Sequence, residues 1–260
     1  MIFLFVMGFI FLHMSAFWVW YRVAHNPSVI DIGWASGLTF SGLIYLNSQT
    51  LSLRSIFLSL ILVIWGLRLG LYLWFTRIRH REVDKRYTAL SEDWKIAKPL
   101  GFFLNFQLQG FFILIVSLPW LFASKALITT PNILDWFALI LALFAIAMET
   151  LADYQLLLFK RKHSNTVCTR GLWSLCRHPN YFFEWLTWCA FTLFALTHPF
   201  GWLAITSPLT LYWLMTQVTG PLTEKGSIES RGELYLRYQK NTPMFFPKFL
   251  IPSFFRKFQN

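Results

Sequence analysis

Charge is the scarcest property of this sequence. Only 13% of its 260 residues are charged, about half of the roughly 25% in a soluble domain, whereas 56% are hydrophobic and 19% aromatic. This scarcity excludes a soluble globular enzyme and a disordered or fibrous chain. Cysteine is also scarce, and Cys168, Cys176 and Cys189 form no CxxC pair and no zinc spacing, so no metal site is predicted. The composition indicates an integral membrane protein.

The sequence contains several long hydrophobic runs. A helix needs about 20 mainly apolar residues to cross the hydrocarbon core, and runs this apolar leave no alternation typical of a sheet. We therefore expect an all-α membrane bundle of about seven transmembrane helices in a single domain, 1–260. The first run has no cleavage site and is expected to remain as a span. The expected spans cover about 1–21, 29–47, 54–76, 100–123, 133–159, 181–197 and 200–219, followed by a tail, 220–260.

The distribution of Lys and Arg predicts how these spans are oriented. Seven lie in the segment 77–98, five in 160–178, seven in the tail and one in the first short loop. With seven spans, all of them fall on one side, and the opposite loops contain only Arg54 and Lys125. The positive-inside rule then predicts an N-terminus outside and a cytoplasmic tail. The net charge of +11 follows from this topology and predicts no nucleic-acid partner.

Several polar side chains lie inside the apolar runs, where each costs free energy. Asp31 and Arg68 lie in neighbouring spans and could form an ion pair, either as part of a functional site or as a link between helices. Asn105, Gln107 and Gln109 enter the fourth span, where amides usually bond across helices.

The fifth span ends in a polar stripe. Glu149, Asp153 and Lys160 are spaced by four and seven residues, which places them on one face of a single helix. A solvated helix end with an internal ion pair is one interpretation. Glu149 lies too deep in the span to be part of a solvated helix end. Its position favours a polar stripe that faces a ligand.

A second polar group follows at the start of the next helix. Pro179 fits the first turn of a helix, where exposed N–H groups favour an anion. Arg177 and His178 add cationic donors for phosphate, and Asn180 and Glu184 lie one turn apart on one face. We expect an anion site here, with an ordinary basic helix start as the alternative.

The tail predicts an amphipathic helix that ends before two prolines. Tyr235 and Tyr238 are three residues apart on it, and Pro243 and Pro247 follow. By itself, this pattern is also typical of an interfacial anchor.

These motifs together resemble a bacterial membrane family related to steroid 5-alpha-reductases. The resemblance extends over nearly the whole chain. The residues that carry it are Asp31-Ile-Gly-Trp34, Glu149-x-x-x-Asp153-x-Gln155, Gly171-Leu-Trp173, Arg177-His178-Pro179-Asn180-Tyr181-Phe182-x-Glu184-Trp185 and the tail Tyr235-x-x-Tyr238-x-x-x-Thr242 with Phe246-Pro247.

The resemblance implies an NADPH-dependent reductase of a conjugated carbon–carbon double bond in a steroid-like or other lipid. It implies a cofactor site facing the cytoplasm, in the inner membrane of a bacterium. The expected catalytic residues are Asp31, Tyr72 and Arg68, and Tyr72 is also expected to touch the cofactor. The expected cofactor-binding residues are Glu149, Asp153, Lys160, Arg177, His178, Asn180, Tyr181, Glu184, Tyr235 and Tyr238.

Two other functions stay open. Isoprenylcysteine and phospholipid methyltransferases share an Arg-His-Pro-x-Tyr segment and a Glu…Tyr-x-x-Tyr tail, and they bind S-adenosylmethionine. Asn180, the stripe on the fifth span and the number of spans favour the reductase. The other alternative is a non-enzymatic protein that binds or transports lipid, which requires no nucleotide site.

Overall fold

The computed structural model describes residues 1–79, 83–92, 94–163 and 165–250, with Lys85 described by its backbone alone. Helices form all the regular structure in these ranges, which contain no strand, so the all-α prediction is confirmed. The α-helices are α1 (Ile2–Ala24), α2 (Val29–Leu46), α3 (Leu53–Leu73), α4 (Lys85–Glu92), α5 (Lys98–Val116), α6 (Leu118–Lys125), α7 (Ile133–Lys162), α8 (Pro179–Ala195), α9 (Thr206–Trp213), α10 (Gly220–Arg231) and α11 (Glu233–Asn241).

Five helical stretches of the described chain are long and apolar enough to cross a membrane. They match the first five predicted spans and cover Ile2–Ala24, Val29–Leu46, Leu53–Ile78, Lys98–Lys125 and Ile133–Lys162. The predicted sixth span corresponds to α8, which has 17 residues. The seventh is divided into a 3₁₀ turn, α9 and a π-helical turn. A membrane protein is thus supported, whereas the count of seven and the orientation stay predictions.

The chain divides into two compact units. Unit 1 contains Met1–Leu139 and Cys189–Thr210, and unit 2 contains Ile140–Trp188 and the described residues from Leu211 onward. The expectation of a single domain stays a prediction.

Helix α2 is the central element of unit 1 because its small residues admit large neighbours. A Cβ atom placed on Gly42 would lie 2.3 Å from Cδ2 of Leu62 on α3 and 2.8 Å from Cδ1 of Trp120 on α6. Only glycine therefore permits this approach. Trp120 is fully buried and packs against Phe191, so close helix packing forms the core of unit 1.

A buried ion pair joins four helices of unit 1. Arg54, which the sequence assigned to an outer loop, lies in the first turn of α3 with 2% of its surface exposed. Its Nε and Nη2 donate to Asp135 at 2.9 Å, and Nη1 donates to the carbonyl oxygen of Ala123 on α6 at 2.9 Å. Nη2 also donates to the carbonyl oxygen of Phe194 on α8 at 2.8 Å. Arg54 is therefore an internal structural residue, a role that charge counting cannot detect.

In unit 2, the Gly171-Leu-Trp173 motif anchors the segment before α8 onto α7. The amide N of Leu172 donates to Oε1 of Gln155 at 3.0 Å, and Nε1 of Trp173 donates to the carbonyl oxygen of Ala152 at 2.9 Å. Gly171 has a φ of +59°, and a Cβ there would lie 2.6 Å from Gln155 Oε1, so the turn requires glycine. These motif residues position α8 relative to α7.

Candidate functional site

Four polar side chains of unit 2 form what we call the α7–α8 cluster: Glu149 and Asp153 on α7, and Asn180 and Glu184 on α8. The three carboxylate side chains are buried, with 3–7% of each residue exposed. Nδ2 of Asn180 donates to Oδ1 of Asp153 at 3.2 Å, and Oε1 of Glu184 accepts from Nε1 of Trp188 at 3.0 Å. The predicted start of α8 at Pro179 is confirmed. The structure therefore brings Asp153 and Asn180, which belong to two separate motifs, into contact.

This cluster contains a buried acceptor atom, the side-chain amide oxygen of Asn180. Oδ1 of Asn180 is buried, and no described residue donates a hydrogen bond to it. Buried polar atoms in proteins are almost always bonded, and leaving one without a partner costs about 1–3 kcal/mol. Because Nδ2 of the same amide is held by Asp153, the amide orientation is fixed and Oδ1 is an acceptor. The cluster thus offers an acceptor to a ligand that carries an N–H or O–H group.

A second set of side chains, which we call the Glu224 clasp, holds the start of α8 to α10 and α11. Arg177 donates from Nε and Nη2 to the Glu224 carboxylate at 2.6 and 3.2 Å, and His178 Nε2 lies 2.9 Å from Glu224 Oε1. Nε2 of Gln239 donates to Oε2 of Glu224 at 2.6 Å. Nη1 of Arg177 donates to the carbonyl oxygen of Thr242 at 2.7 Å. The charge of Arg177 is therefore balanced within unit 2.

The backbone just before α8 is also hydrogen-bonded to the tail. The amide groups of Arg177 and His178 donate to the carbonyl oxygens of Pro243 and Met244 at 2.8 and 3.1 Å. These two N–H groups precede α8, which begins at Pro179, and they hold the tail against the helix start. Anion binding at this helix start stays a prediction.

Hydrogen bonding controls the ionisation of Glu224. Burial alone would raise the pKa of this carboxyl group, but the hydrogen bonds from His178 and Arg177, together with the Arg177 charge, lower it to about 2. Glu224 lies 47 residues after Arg177, so no local spacing in the sequence predicts this pair.

Three of the predicted tyrosines lie in unit 2, and one of them contacts the clasp. The ring of Tyr181 stacks on His178 with 4.9 Å between ring centroids, and Tyr238 donates to the carbonyl oxygen of Trp173 at 2.5 Å. Tyr235 is buried and packs edge-on against Tyr238. Burial, the largest cause, raises the pKa of Tyr235 and of Tyr238. Both are therefore neutral donors at physiological pH.

Lys160, the last predicted residue of the stripe, lies in the exposed basic end of α7. Lys160, Arg161 and Lys162 follow one another there, and all three are exposed. The polar stripe on α7 thus extends from a buried acidic part to an exposed basic part.

Unit 1 contains a separate group around Asp31, which we call the Asp31 cluster. Oδ2 of Asp31 accepts from Arg77 and, at 3.3 Å, from Arg86. Oδ1 accepts from the hydroxyl group of Tyr87 at 2.6 Å, and Asp84 forms ion pairs with the same two arginines. Two carboxylates thus balance two guanidinium groups around one buried tyrosine. The sequence predicts these arginines only as topological charges and gives Tyr87 no role.

The expected pairing of Asp31 with Arg68 is not among the contacts of Asp31 in the described residues. The Arg68 guanidinium lies 5.5 Å from the ring centroid of Tyr72, four residues along α3. Arg68 and Tyr72 are therefore together, and the Asp31 carboxylate binds Arg77, Arg86 and Tyr87. The catalytic roles of Asp31, Arg68 and Tyr72 stay predictions.

Electrostatics keep the Asp31 cluster in defined protonation states. Burial would raise the pKa of Asp84, but Arg86 and then Arg77 lower it to about 2. Burial and the nearby Asp31 carboxylate raise the pKa of Tyr87 well above its usual value of 10.0. At physiological pH, Tyr87 is therefore a neutral hydroxyl group held between charged groups.

Comparison with known proteins identifies a family but no function. The model of a family described as proteins of unknown function, DUF1295, matches residues 17–242. This match covers most of the chain, which therefore belongs to the DUF1295 family. No curated protein and no solved structure matches it.

Proposed function

We propose that this member of the DUF1295 family is a membrane-embedded reductase that uses NADPH to saturate a conjugated carbon–carbon double bond in a steroid-like or other lipid. The observation that carries the proposal is the buried Oδ1 of Asn180, which lacks a donor among the described residues, beside the Asp153 carboxylate. A buried acceptor inside a bundle of apolar helices costs free energy unless a ligand supplies its hydrogen bond.

The residues of unit 2 fit the chemistry of a dinucleotide. Carboxylate and amide oxygens of Asp153 and Asn180 accept hydrogen bonds, as the hydroxyl groups of a ribose or the amino group of a carboxamide require. The exposed Lys160, Arg161 and Lys162 at the end of α7 supply the positive charge that phosphates require. Acceptors in the buried part and cations in the exposed part match a ligand with an uncharged ring at one end and phosphates beyond it.

Bound NADPH would supply the hydride that adds to the β-carbon of a conjugated carbonyl compound. The electron pair of the double bond then moves to the carbonyl oxygen, and the enolate takes up a proton at the α-carbon. As the resemblance implies, we propose Asp31, Arg68 and Tyr72 as the catalytic residues. Within unit 1, Arg77, Arg86 and Tyr87 hold the Asp31 carboxylate in place.

A methyltransferase that uses S-adenosylmethionine is the alternative function, because the Arg177-His178-Pro179-x-Tyr181 segment and the tail Tyr235-x-x-Tyr238 also resemble that class of enzyme. A protein that binds or transports lipid without catalysis is the third possibility.

Equilibrium binding separates these functions. NADPH and S-adenosylmethionine are titrated side by side into the detergent-purified protein and its Asn180→Ala variant. We expect NADPH to bind and its affinity to fall at least about tenfold in the variant. A control variant, Tyr154→Phe, changes an exposed residue next to Asp153 on α7 and should bind like the parent chain. Binding of S-adenosylmethionine alone would assign methyl transfer, and binding of neither compound would favour the non-enzymatic function.

We further propose seven spans with the N-terminus outside, the tail in the cytoplasm and the cofactor site facing the cytoplasm of a bacterial inner membrane. The support is the asymmetry of Lys and Arg between the loops. Of the residues behind this count, Arg81, Arg256 and Lys257 lie outside the described residues. A tag at residue 260 should be labelled only after the membrane is permeabilised, and labelling of intact cells would contradict the orientation.

A further inference from the structure

A groove in unit 1 lies along helices α1 and α2 and is distinct from the α7–α8 and Asp31 clusters. Its volume is about 530 Å³, within the range of small-molecule sites. Both helices are candidate membrane spans, so the groove opens on the apolar part of the bilayer. Its lining consists of Phe9, His13, Phe40, Leu43, Ile44 and Asn47. One titratable side chain thus lies in a surface that is otherwise mainly apolar.

The contacts of His13 determine which of its ring nitrogens carries hydrogen. Nε2 lies 3.0 Å from the carbonyl oxygen of Gly33, which can only accept, so Nε2 is the donor. Oγ of Ser36 lies 3.2 Å from the same nitrogen, and because this hydroxyl donates to the carbonyl oxygen of Ile32 at 2.7 Å, it also accepts from His13. A charged imidazole is costly inside a membrane. His13 is therefore neutral, and its Nδ1 is a hydrogen-bond acceptor.

The ring of His13 is oriented so that this acceptor faces away from α2. A Cβ placed on Gly37 of α2 would lie 3.4 Å from both Cδ2 and Nε2 of His13, so that edge of the ring faces α2. Nδ1 is the ring atom opposite this edge. Phe9 stacks on the imidazole with 5.5 Å between ring centroids, and Phe40 meets it edge-on at 6.2 Å. The acceptor thus lies between aromatic side chains, and no described residue donates to it.

We propose that this groove binds a ring-containing hydrocarbon lipid that carries a hydroxyl group. The hydroxyl group donates to Nδ1 of His13, and the rings of the lipid pack against Phe9 and Phe40. A phospholipid acyl chain fits an apolar surface but has no donor for Nδ1. A hydroxyl-bearing hydrocarbon satisfies the acceptor and the aromatic lining together. This site requires no nucleotide, so it does not depend on the reductase proposal.

Photo-crosslinking in phosphatidylcholine nanodiscs tests the site with the full chain. The probes are a diazirine derivative of cholesterol with a free 3-hydroxyl group and the 3-methyl ether of the same compound, which cannot donate. We expect the hydroxyl probe to label peptides of α1 and α2 about fivefold more than the ether, which corresponds to one hydrogen bond. Equal labelling by the two probes in the parent chain would overturn the proposal.

Substitutions of His13 identify the acceptor. His13→Phe keeps a ring of similar shape but removes Nδ1, so the ratio of labelling should fall to about one. His13→Gln restores an acceptor and should restore part of the preference. His198→Phe changes a histidine outside the groove lining and should keep the parent ratio. A His13→Phe variant that is folded and retains the full preference would contradict the role of His13.

Discussion

Unit 2 contains two polar groups that the sequence would treat alike, the Glu224 clasp and the α7–α8 cluster. In the clasp, the guanidinium group of Arg177, the imidazole of His178 and the amide of Gln239 all converge on one carboxylate. In the cluster, the amide of Asn180 is fixed by Asp153 and still has a buried acceptor that no described residue bonds. From this difference we expect the clasp to contribute mainly to stability and, under the proposed function, the cluster to contribute mainly to ligand binding. Variants in each should separate stability from binding.

Removal of the central carboxylate of the clasp should have the largest effect on stability. Glu224→Ala leaves the Arg177 guanidinium partly buried without its counter-ion, so we expect the free energy of unfolding to fall by about 3–5 kcal/mol. The measurement is reversible unfolding in detergent micelles. Glu229→Ala removes an exposed glutamate from the same helix and should change stability by less than about 0.5 kcal/mol. Equal effects of the two substitutions would show that the clasp is not a stabilising feature.

Acid should weaken the clasp in a defined pH range. The folded-state pKa of Glu224 is about 2, below the ordinary value of 4.5, so its contribution is fully present above pH 4.5 and is lost as the pH falls towards 2. We expect the difference in melting temperature between the parent chain and Glu224→Gln to shrink over this range. Taking the difference removes the titration of other carboxylates that both proteins share. A difference independent of pH would contradict the lowered pKa.

Substitutions in the α7–α8 cluster are expected to reduce ligand binding more than stability. Asp153→Ala removes the partner that fixes the Asn180 amide, so NADPH affinity should fall at least about tenfold, or 1.4 kcal/mol. The unfolding free energy should fall less than in Glu224→Ala. Isothermal titration and unfolding on the same preparations give both quantities. An unchanged affinity would remove Asp153 from the cofactor site. It would also contradict a role in ligand binding that distinguishes the cluster from the clasp.

Local spacing predicted the parts of this molecule that a single helix determines. Glu149 and Asp153 lie on one helix as their spacing of four requires, and α8 begins at Pro179 because proline fits a first helical turn. The length of the apolar runs likewise predicted five of the spans.

Local spacing does not predict contacts between residues that are far apart in the sequence. Glu224 meets Arg177 across 47 residues, and Arg54 meets Asp135 across 81. Charge counting gave Arg54 the role of an outer-loop cation because a buried charge cannot be recognised without its counter-ion. Tyr87 was missed for the same reason, since its role follows from Asp31, 56 residues away. Helix packing creates these sites, and one sequence does not encode packing as a local pattern.

Tyr181 provides the smallest and sharpest test of the contrast, because it follows Asn180 in sequence but stacks on His178 of the clasp. Its hydroxyl group lies 3.3 Å from Oγ1 of Thr223, which is a long hydrogen bond. Tyr181→Phe keeps the ring, so we expect stability to fall by about 0.5 kcal/mol and NADPH affinity to change less than in Asp153→Ala. Binding and unfolding are measured as above, with Tyr154→Phe as the control. A tenfold loss of affinity without a loss of stability would instead assign the Tyr181 hydroxyl to the cofactor, as the sequence resemblance implies, and would add it to the ligand site beside Asn180.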